Sequence, residues 1–370
     1  MSNIDQQQTE DSISTQETCD EKVVFEGRHF LRRHGRKVAI GFALLIFIGI
    51  PLIFASIRFI EKLQLEPTVF YFLELLSKYA LLTAGIFWFF FFGATLGSFL
   101  NLVAWRLPRS RTLIGSSYCP SCDAKLKLRE NFPLFGWLLL GGSCSTCAVP
   151  IPARYFLVEL VAALLIGALA LIELVGTGIN LVKPDITWVF SFDSFVSNPQ
   201  SELIGYFLLH TCLICILMTV ALINQQKQSI PRSIFLFAFT ISIVSAIVWP
   251  LALPYSHTHQ EVGTVLSPFA SLLPMIIGIS TGGILGFLFV RFIVRKKGPL
   301  DVSFILLLAL VGSYLGWQAT FTALILTALL TLFGKLFKKH LAPTDLLWLG
   351  VSITIFTWRF WIEKLQILPI

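Results

Sequence analysis

The run "VSFILLLALVGSYLGWQATFTALILTALLTLF", Val302 to Phe333, carries no Asp, Glu, Lys or Arg. A bilayer core needs about 20 helical residues to cross, so the run is too long for one helix. Gly312, Gly316 and the polar Gln318 lie near its middle and mark a break, which makes the run a hairpin of a short helix followed by a second one. The other apolar blocks are Val38 to Ile57, Ala80 to Ala104, Phe156 to Val175, Leu203 to Ile223, Ile234 to Leu253, Leu266 to Val290 and Asp345 to Trp361. With 55% hydrophobic and only 13% charged residues, the composition excludes an ordinary soluble globular chain. The pattern predicts an all-α polytopic membrane protein with about nine transmembrane helices.

Charge supplies the orientation. Residues 1–21 hold Asp5, Glu10, Asp11, Glu17, Asp20 and Glu21 without a Lys or Arg, and lack the apolar residues needed to fold alone. Arg28, Arg32, Arg33, Arg36 and Lys37 then crowd the first block and place the N-terminus in the cytoplasm. No short basic region precedes that block and no small-residue cleavage site follows it, so it is read as a retained span rather than a removed signal. The loop from Trp105 to Arg154 carries Arg106, Arg109, Arg111, Lys125, Lys127, Arg129 and Arg154 and is expected inside. Gly176 to Glu202 carries Asp185, Asp193 and Glu202 against one Lys and is expected outside. The cations Arg291, Arg295, Lys296 and Lys297, and then Lys335, Lys338 and Lys339, are both cytoplasmic only if Val302 to Phe333 is a hairpin, which leaves the C-terminus outside. The net charge of +7 is thus topological, and no nucleic-acid partner is expected.

Four of the seven cysteines occupy that basic loop as "CPSC", Cys119 and Cys122, and "CSTC", Cys144 and Cys147. Two C-x-x-C knuckles present four thiolates to one ion and leave no position for water, the pattern of a structural zinc ribbon. A disulfide pair is the alternative, which a reducing cytoplasm disfavours. Cys212 and Cys215 lie inside an apolar block and read as small packing residues, and His210 as a packing hydrogen-bond donor.

The segment "GATLGSFLNLVAWRLPRS", Gly93 to Ser110, followed by both knuckles, "RENFPLFGWLLLGGSC" and "IPARYFLVELV", resembles the N-terminal half of the type IV prepilin peptidase family. Its members are leader peptidases and N-methyltransferases that cut the basic leader from prepilins and methylate the new N-terminus with S-adenosylmethionine. By spacing, Gly93, Gly97 and Asn101 share one helix face, which fits a packing seam as well as a cofactor role. The resemblance implies a methyl-donor site shared by Asn101, Arg106, Glu130, Asn131, Arg154 and Glu159, with Glu130 and Glu159 placed to accept from a substrate ammonium.

The second half departs from the family. Its peptidase site pairs an Asp six and seven residues before Ile-Pro with a second Asp that ends Gly-x-Gly-Asp. Here Ile230 and Pro231 place Asn224 at the first aspartate, and "GPLD", Gly298 to Asp301, keeps the second as Asp301 with Leu300 in place of a glycine. By position alone Asp301 is equally a helix cap. An aspartic protease needs two carboxyls sharing a proton, and Asn cannot take one. Asp345 starts the last apolar block, and no carboxylate stands out as a substitute, so the reading is a peptidase site that has lost competence.

The expected organisation is a cytoplasmic tail over residues 1–37 and an extra helix over 38–79. Residues 80–175 form a methyltransferase-like region with its zinc ribbon at 115–150, and residues 203–362 form an intramembrane aspartyl peptidase-like region. The resemblance implies a bacterial inner-membrane protein of type IV pilus or type II secretion that handles pilin or pseudopilin N-terminal helices within the lipid bilayer. A non-enzymatic scaffold or chaperone for such segments, and a working peptidase that pairs Asp301 with an unrecognised partner, are the alternatives.

Overall fold

The computed structural model describes residues 37, 40–41, 43–61, 68–119, 121–176, 178–181, 199–248, 272–294, 302–336 and 342–365. Their regular structure is helical, apart from two isolated antiparallel bridges, Tyr118 with Lys125 and Ser143 with Pro150. We number the α-helices α1 (Ile50–Glu61), α2 (Val69–Arg106), α3 (Phe135–Leu139), α4 (Arg154–Ala170), α5 (Ser201–Gln225), α6 (Arg232–Val248), α7 (Leu272–Leu288), α8 (Val302–Leu336), α9 (Pro343–Phe356) and α10 (Trp358–Leu365).

Among the described residues, five helices are long and apolar enough to cross a membrane: Val69–Arg109, Arg154–Val175, Ser201–Gln225, Leu272–Phe292 and Val302–Leu336. Arg232–Val248 and Pro343–Phe356 are apolar but shorter. The first expected span is described only in part, as a π-helical turn Leu45–Gly49 leading into α1. The break expected in the long apolar run falls at Gly316, whose φ of 77° and ψ of 176° leave helical geometry and divide α8 into two arms. Only glycine takes that conformation without strain.

The chain divides into two compact units, residues 1–84 with 114–160, and residues 85–113 with 161–370. In the first, α1 is held by rings: Phe54 stacks on Tyr79 at 5.8 Å, and Phe59 meets Phe72 edge-on at 5.4 Å.

In the second unit α5 is the centre, buried on nearly every side from Leu203 to Ile223. A helix apolar all round belongs inside a bundle. Around it, helices meet through small residues. A Cβ on Gly93 would lie 2.7 Å from the Ala162 carbonyl oxygen, and one on Gly167 would lie 2.7 Å from the Phe90 ring, so α2 and α4 need both glycines to touch. Gly278, Gly282 and Gly286 of α7 form a second seam against Gly312, Leu308 and Ile305 in the first arm of α8. Gly350 of α9 packs likewise on Ala323 and Thr327 in the second arm.

Many hydroxyl groups of this interior bond to backbone carbonyls. Thr327 and Thr331 return their hydroxyls to carbonyls one turn back, Thr320 caps the Gly316 carbonyl at 2.7 Å, and Ser242 of α6 reaches the Ser313 carbonyl at 3.1 Å. One carboxylate is fully enclosed: Glu173 accepts from Asn180 Nδ2 at 2.9 Å and from His210 Nδ1 at 2.6 Å. His210 is thus a hydrogen-bond donor in the core, with a partner that hydropathy does not reveal.

The seam predicts a contrast between adjacent glycines. Gly282→Ala drives a methyl into the Leu308 backbone, whereas Gly283 has nothing within 4 Å of a Cβ. Overpacking costs about 1–3 kcal/mol, more than the roughly 0.5–1 kcal/mol a helix gains on Gly to Ala. Gly282→Ala is therefore expected to lower the melting temperature of detergent-purified protein, and Gly283→Ala to keep or raise it.

Candidate functional site

The two knuckles are built alike. In the first, the Cys119 N–H donates to the Ala124 carbonyl (3.0 Å) and the Asp123 N–H to the Cys119 carbonyl (2.9 Å). In the second, Cys144 bonds Val149 (2.9 Å) and Ala148 bonds Cys144 (3.1 Å) in the same way. Each turns on a residue of positive φ four places after its first cysteine, Asp123 at 53° and Ala148 at 58°.

All four sulfurs lie within 4.8 Å of one another, with Cys119 to Cys147 at 3.8 Å and Cys122 to Cys144 at 4.0 Å. Metal–sulfur bonds of about 2.3 Å at tetrahedral angles give sulfur separations of about 3.8 Å. The arrangement therefore fits one metal ion on four thiolates. None of the four is in a disulfide. Backbone N–H groups of Cys147 and then Thr146 hold the Cys144 thiol down to about 6. Cys122, although the Ala124 N–H favours its thiolate, is pushed up to about 12 by desolvation and by the neighbouring thiols. Four adjacent sulfurs cannot all ionise without a cation among them.

Below the knuckles, Trp137 stacks on Phe156 at 5.3 Å and donates Nε1 to the Ile151 carbonyl at 3.1 Å, which ties the ribbon to the start of α4. Glu130 and Glu159 each hold one end of the intervening turn. Glu130 accepts the Lys127 N–H at 2.9 Å, and that bond holds its carboxyl below the usual range. Glu159 Oε2 accepts the N–H of Leu134 at 2.7 Å, where Leu134 has a φ of 64°. Asn131 lies between them and closes the turn by donating its backbone N–H to Lys127 and Leu128. Arg154 opens α4 with its guanidinium 5.7 Å from the Tyr155 ring.

These four belong to the first unit. Asn101 and Arg106 belong to the second, where both are buried at 6% exposure. Arg106 Nη1 donates to the carbonyls of Thr112 (3.2 Å) and Leu113 (3.3 Å) and so holds the chain leaving α2. The six expected methyl-donor residues thus divide between the units, and both carboxylates among them hold backbone.

Asn224 lies in the last turn of α5. Past it the helix closes through Lys227, whose φ is 55° and whose N–H donates to the Asn224 carbonyl at 2.8 Å. Gln226 then reaches back, with Nε2 near the Leu222 carbonyl (3.2 Å) and the Ala104 carbonyl (3.4 Å), and accepts from Arg109 at 3.3 Å. Arg109 and Arg111 both lie over the Trp105 ring, at 5.3 and 4.8 Å.

The amide of Asn224 donates Nδ2 to Asp345 Oδ1 at 2.6 Å. The sequence reading named no partner for Asn224, and the structure puts Asp345 beside it. Asp345 stands third in α9, after Pro343 and Thr344, and an acid at a helix start passes for a companion of the helix dipole. Nothing local in the sequence pointed to a partner 121 residues away. Gly298, Leu300 and Asp301 lie outside the described residues, as do Asp185 and Asp193. Cys212 lies 3.9 Å from the Tyr314 hydroxyl, which itself donates to the Ala238 carbonyl at 2.9 Å, in keeping with a packing role.

Comparison with known proteins supports the resemblance read from the sequence. Residues 91–172 match the family described as Bacterial Peptidase A24 N-terminal domain. The chain is similar to the prepilin leader peptidase/N-methyltransferase of Aeromonas hydrophila, with 28% identity over 68% of this chain and 82% of that protein. It is similar to the same-named protein of Klebsiella pneumoniae at 26% identity, over 73% of this chain and 98% of the relative. A third, from Myxococcus xanthus, is 45% identical but over only 21% of this chain and 24% of its own length. No solved structure matches.

Proposed function

We propose that this chain processes type IV pilin or pseudopilin precursors at the cytoplasmic face of the bacterial inner membrane. The observation that carries the reading is the doubled cysteine knuckle set between two apolar helices, inside the stretch similar to the prepilin leader peptidase/N-methyltransferases. The full topology is nine spans with the N-terminus inside and the C-terminus outside. The apolar N-terminal helix of a precursor enters from the bilayer, and its basic leader stays at the cytoplasmic face.

Zinc is the ion that suits four thiolates with no open position. It is structural here, and holds the ribbon that carries Glu130 and Asn131 and that Glu159 of α4 meets at Leu134. S-adenosylmethionine supplies a methyl group on a sulfonium centre, and the amine that receives it must be held and deprotonated. Glu130 and Glu159 are carboxylates able to accept from an ammonium, and Asn101, Asn131, Arg106 and Arg154 supply the polar groups for the donor. Leader cleavage has a different requirement. Position 224 carries an amide and cannot act as the base of a carboxyl dyad, so cleavage depends on a carboxylate from elsewhere in the chain.

Two measurements test this reading. Protein purified under reducing conditions is expected to hold one zinc per chain by elemental analysis, and Cys122→Ser or Cys147→Ser to lose it; reduced native protein without metal sinks the ribbon. Membranes containing the protein are expected to transfer a labelled methyl group from S-adenosylmethionine to a pre-cleaved pilin peptide. Capture of that peptide with neither methyl transfer nor cleavage of the precursor would favour a scaffold or chaperone instead.

A further inference from the structure

The second unit holds an open cavity of about 380 Å³ where the turn that extends α4 meets the junction of α9 with α10. Sites for small ligands span about 300–1,000 Å³. Ile172, Ile179, Phe356 and Phe360 make its apolar wall, and Asn180 and Arg359 stand among them. Ile179 and Phe360 are 51% and 58% exposed, so the apolar wall runs out to the surface of the bundle.

Asn180 is 3% exposed and is bonded on its nitrogen side alone. Nδ2 donates to Glu173 Oε1 at 2.9 Å and to the Ile355 carbonyl at 3.1 Å, and two acceptors there fix which end of the amide is nitrogen. Oδ1 accepts no hydrogen bond among the described residues, and neither does the neighbouring Glu173 Oε2. A buried acceptor left without a donor costs free energy, and a ligand that brings an O–H or N–H removes that cost. Arg359 supplies a positive charge. Its backbone N–H donates to the Asn180 carbonyl at 3.0 Å, which roots this cation beside the amide. Thr357 is already engaged, since its hydroxyl donates to the Ile353 carbonyl at 2.6 Å and accepts from Trp361 Nε1 at 2.7 Å.

The setting is a membrane interface. In α10, Trp358, Trp361, Ile362 and Leu365 recur at i, i+3, i+4 and i+7 with Arg359, Glu363 and Lys364 between them, the pattern of a helix lying in the headgroup region. An apolar wall that leads to a cation and a buried acceptor at that depth matches an amphiphile with a chain, an anion and a donor in that order.

We propose that this cavity seats one phospholipid. Its acyl chain lies along Ile172, Ile179, Phe356 and Phe360, its phosphate meets Arg359, and a headgroup O–H or N–H donates to Asn180 Oδ1. The topology proposed above assigns it to the outer leaflet; the binding itself does not depend on prepilin processing. The lipid completes the packing between the end of α4 and the start of α10.

The test is native mass spectrometry of the full chain, purified in detergent and stripped of lipid. The probes are phosphatidylglycerol, phosphatidylethanolamine and phosphatidylcholine with matched acyl chains, and glycerol 3-phosphate. One lipid per chain is expected, with the glycerol and ethanolamine headgroups bound about tenfold more tightly than choline, which has no donor. The tighter of those two identifies the donor as hydroxyl or ammonium. Arg359→Gln is expected to weaken binding about fivefold and Arg359→Lys to keep it within about twofold. Ile179→Trp fills the cavity from its exposed wall and is expected to displace the lipid. Glycerol 3-phosphate, which lacks the chain, is expected not to compete.

Equal binding of the choline lipid overturns the proposal, and so does binding that neither Arg359→Gln nor Ile179→Trp weakens. Glycerol 3-phosphate that competes as well as the lipids overturns it in favour of a soluble phosphate ligand. Loss of binding in Arg359→Lys as well as Arg359→Gln, with both lipid-free variants melting below native protein, assigns Arg359 to packing and also overturns it.

Discussion

Gly278 of α7 and Gly312 of α8 meet backbone to backbone, and the embedded unit depends on contacts of this kind. In lipid no hydrophobic force draws one apolar helix to another; close packing, hydrogen bonds and lipid entropy must do so. Small residues let backbones approach, and each approach fixes the next helix. The first arm of α8 is set by the seam with α7, and the second arm receives α9 through Gly350. The start of α9 then brings Asp345 to the end of α5. A side-chain contact at the polar end of the bundle is thus placed by glycines well inside it.

Several features were legible in the sequence because they are local. The cysteine cluster follows from two C-x-x-C turns, whose geometry needs only a few residues each. The break at Gly316 was legible because an apolar run of that length cannot cross once. The seam of Gly93, Gly97 and Asn101 was legible as a four-residue period, and all three are buried on one helix. Other features depend on distant partners. Glu173 sits inside a strongly apolar run, where hydropathy averages it away, and His210 and Asn180 meet it only after folding. Asp345 was visible but read as a helix start, since its bond to Asn224 is decided by how α8 and α9 pack.

The sequence reading expected an amide alone at position 224; the fold places the Asp345 carboxylate beside it. Chemistry requires a proton acceptor at a location, while a sequence motif requires it at a residue number. Where two helix ends meet, the acceptor can be supplied by either. Glu130 and Glu159 illustrate the converse: both were singled out as acids, and the structure shows both also bearing backbone turns. Substituting either one therefore tests architecture along with chemistry.

The doubled knuckle also has an electrostatic consequence. Over residues 114–154 the cations Lys125, Lys127, Arg129 and Arg154 face only Asp123 and Glu130, an excess of two positive charges. A divalent ion on four thiolates would carry two negative charges and cancel that excess over residues 114–154. Arg106, Arg109 and Arg111, just before this stretch, keep their positive charge whether or not an ion is bound. With an ion bound, the stretch would neither repel cations nor bind anions strongly. Fixed positive charge and ion-dependent charge are thereby carried by different residues.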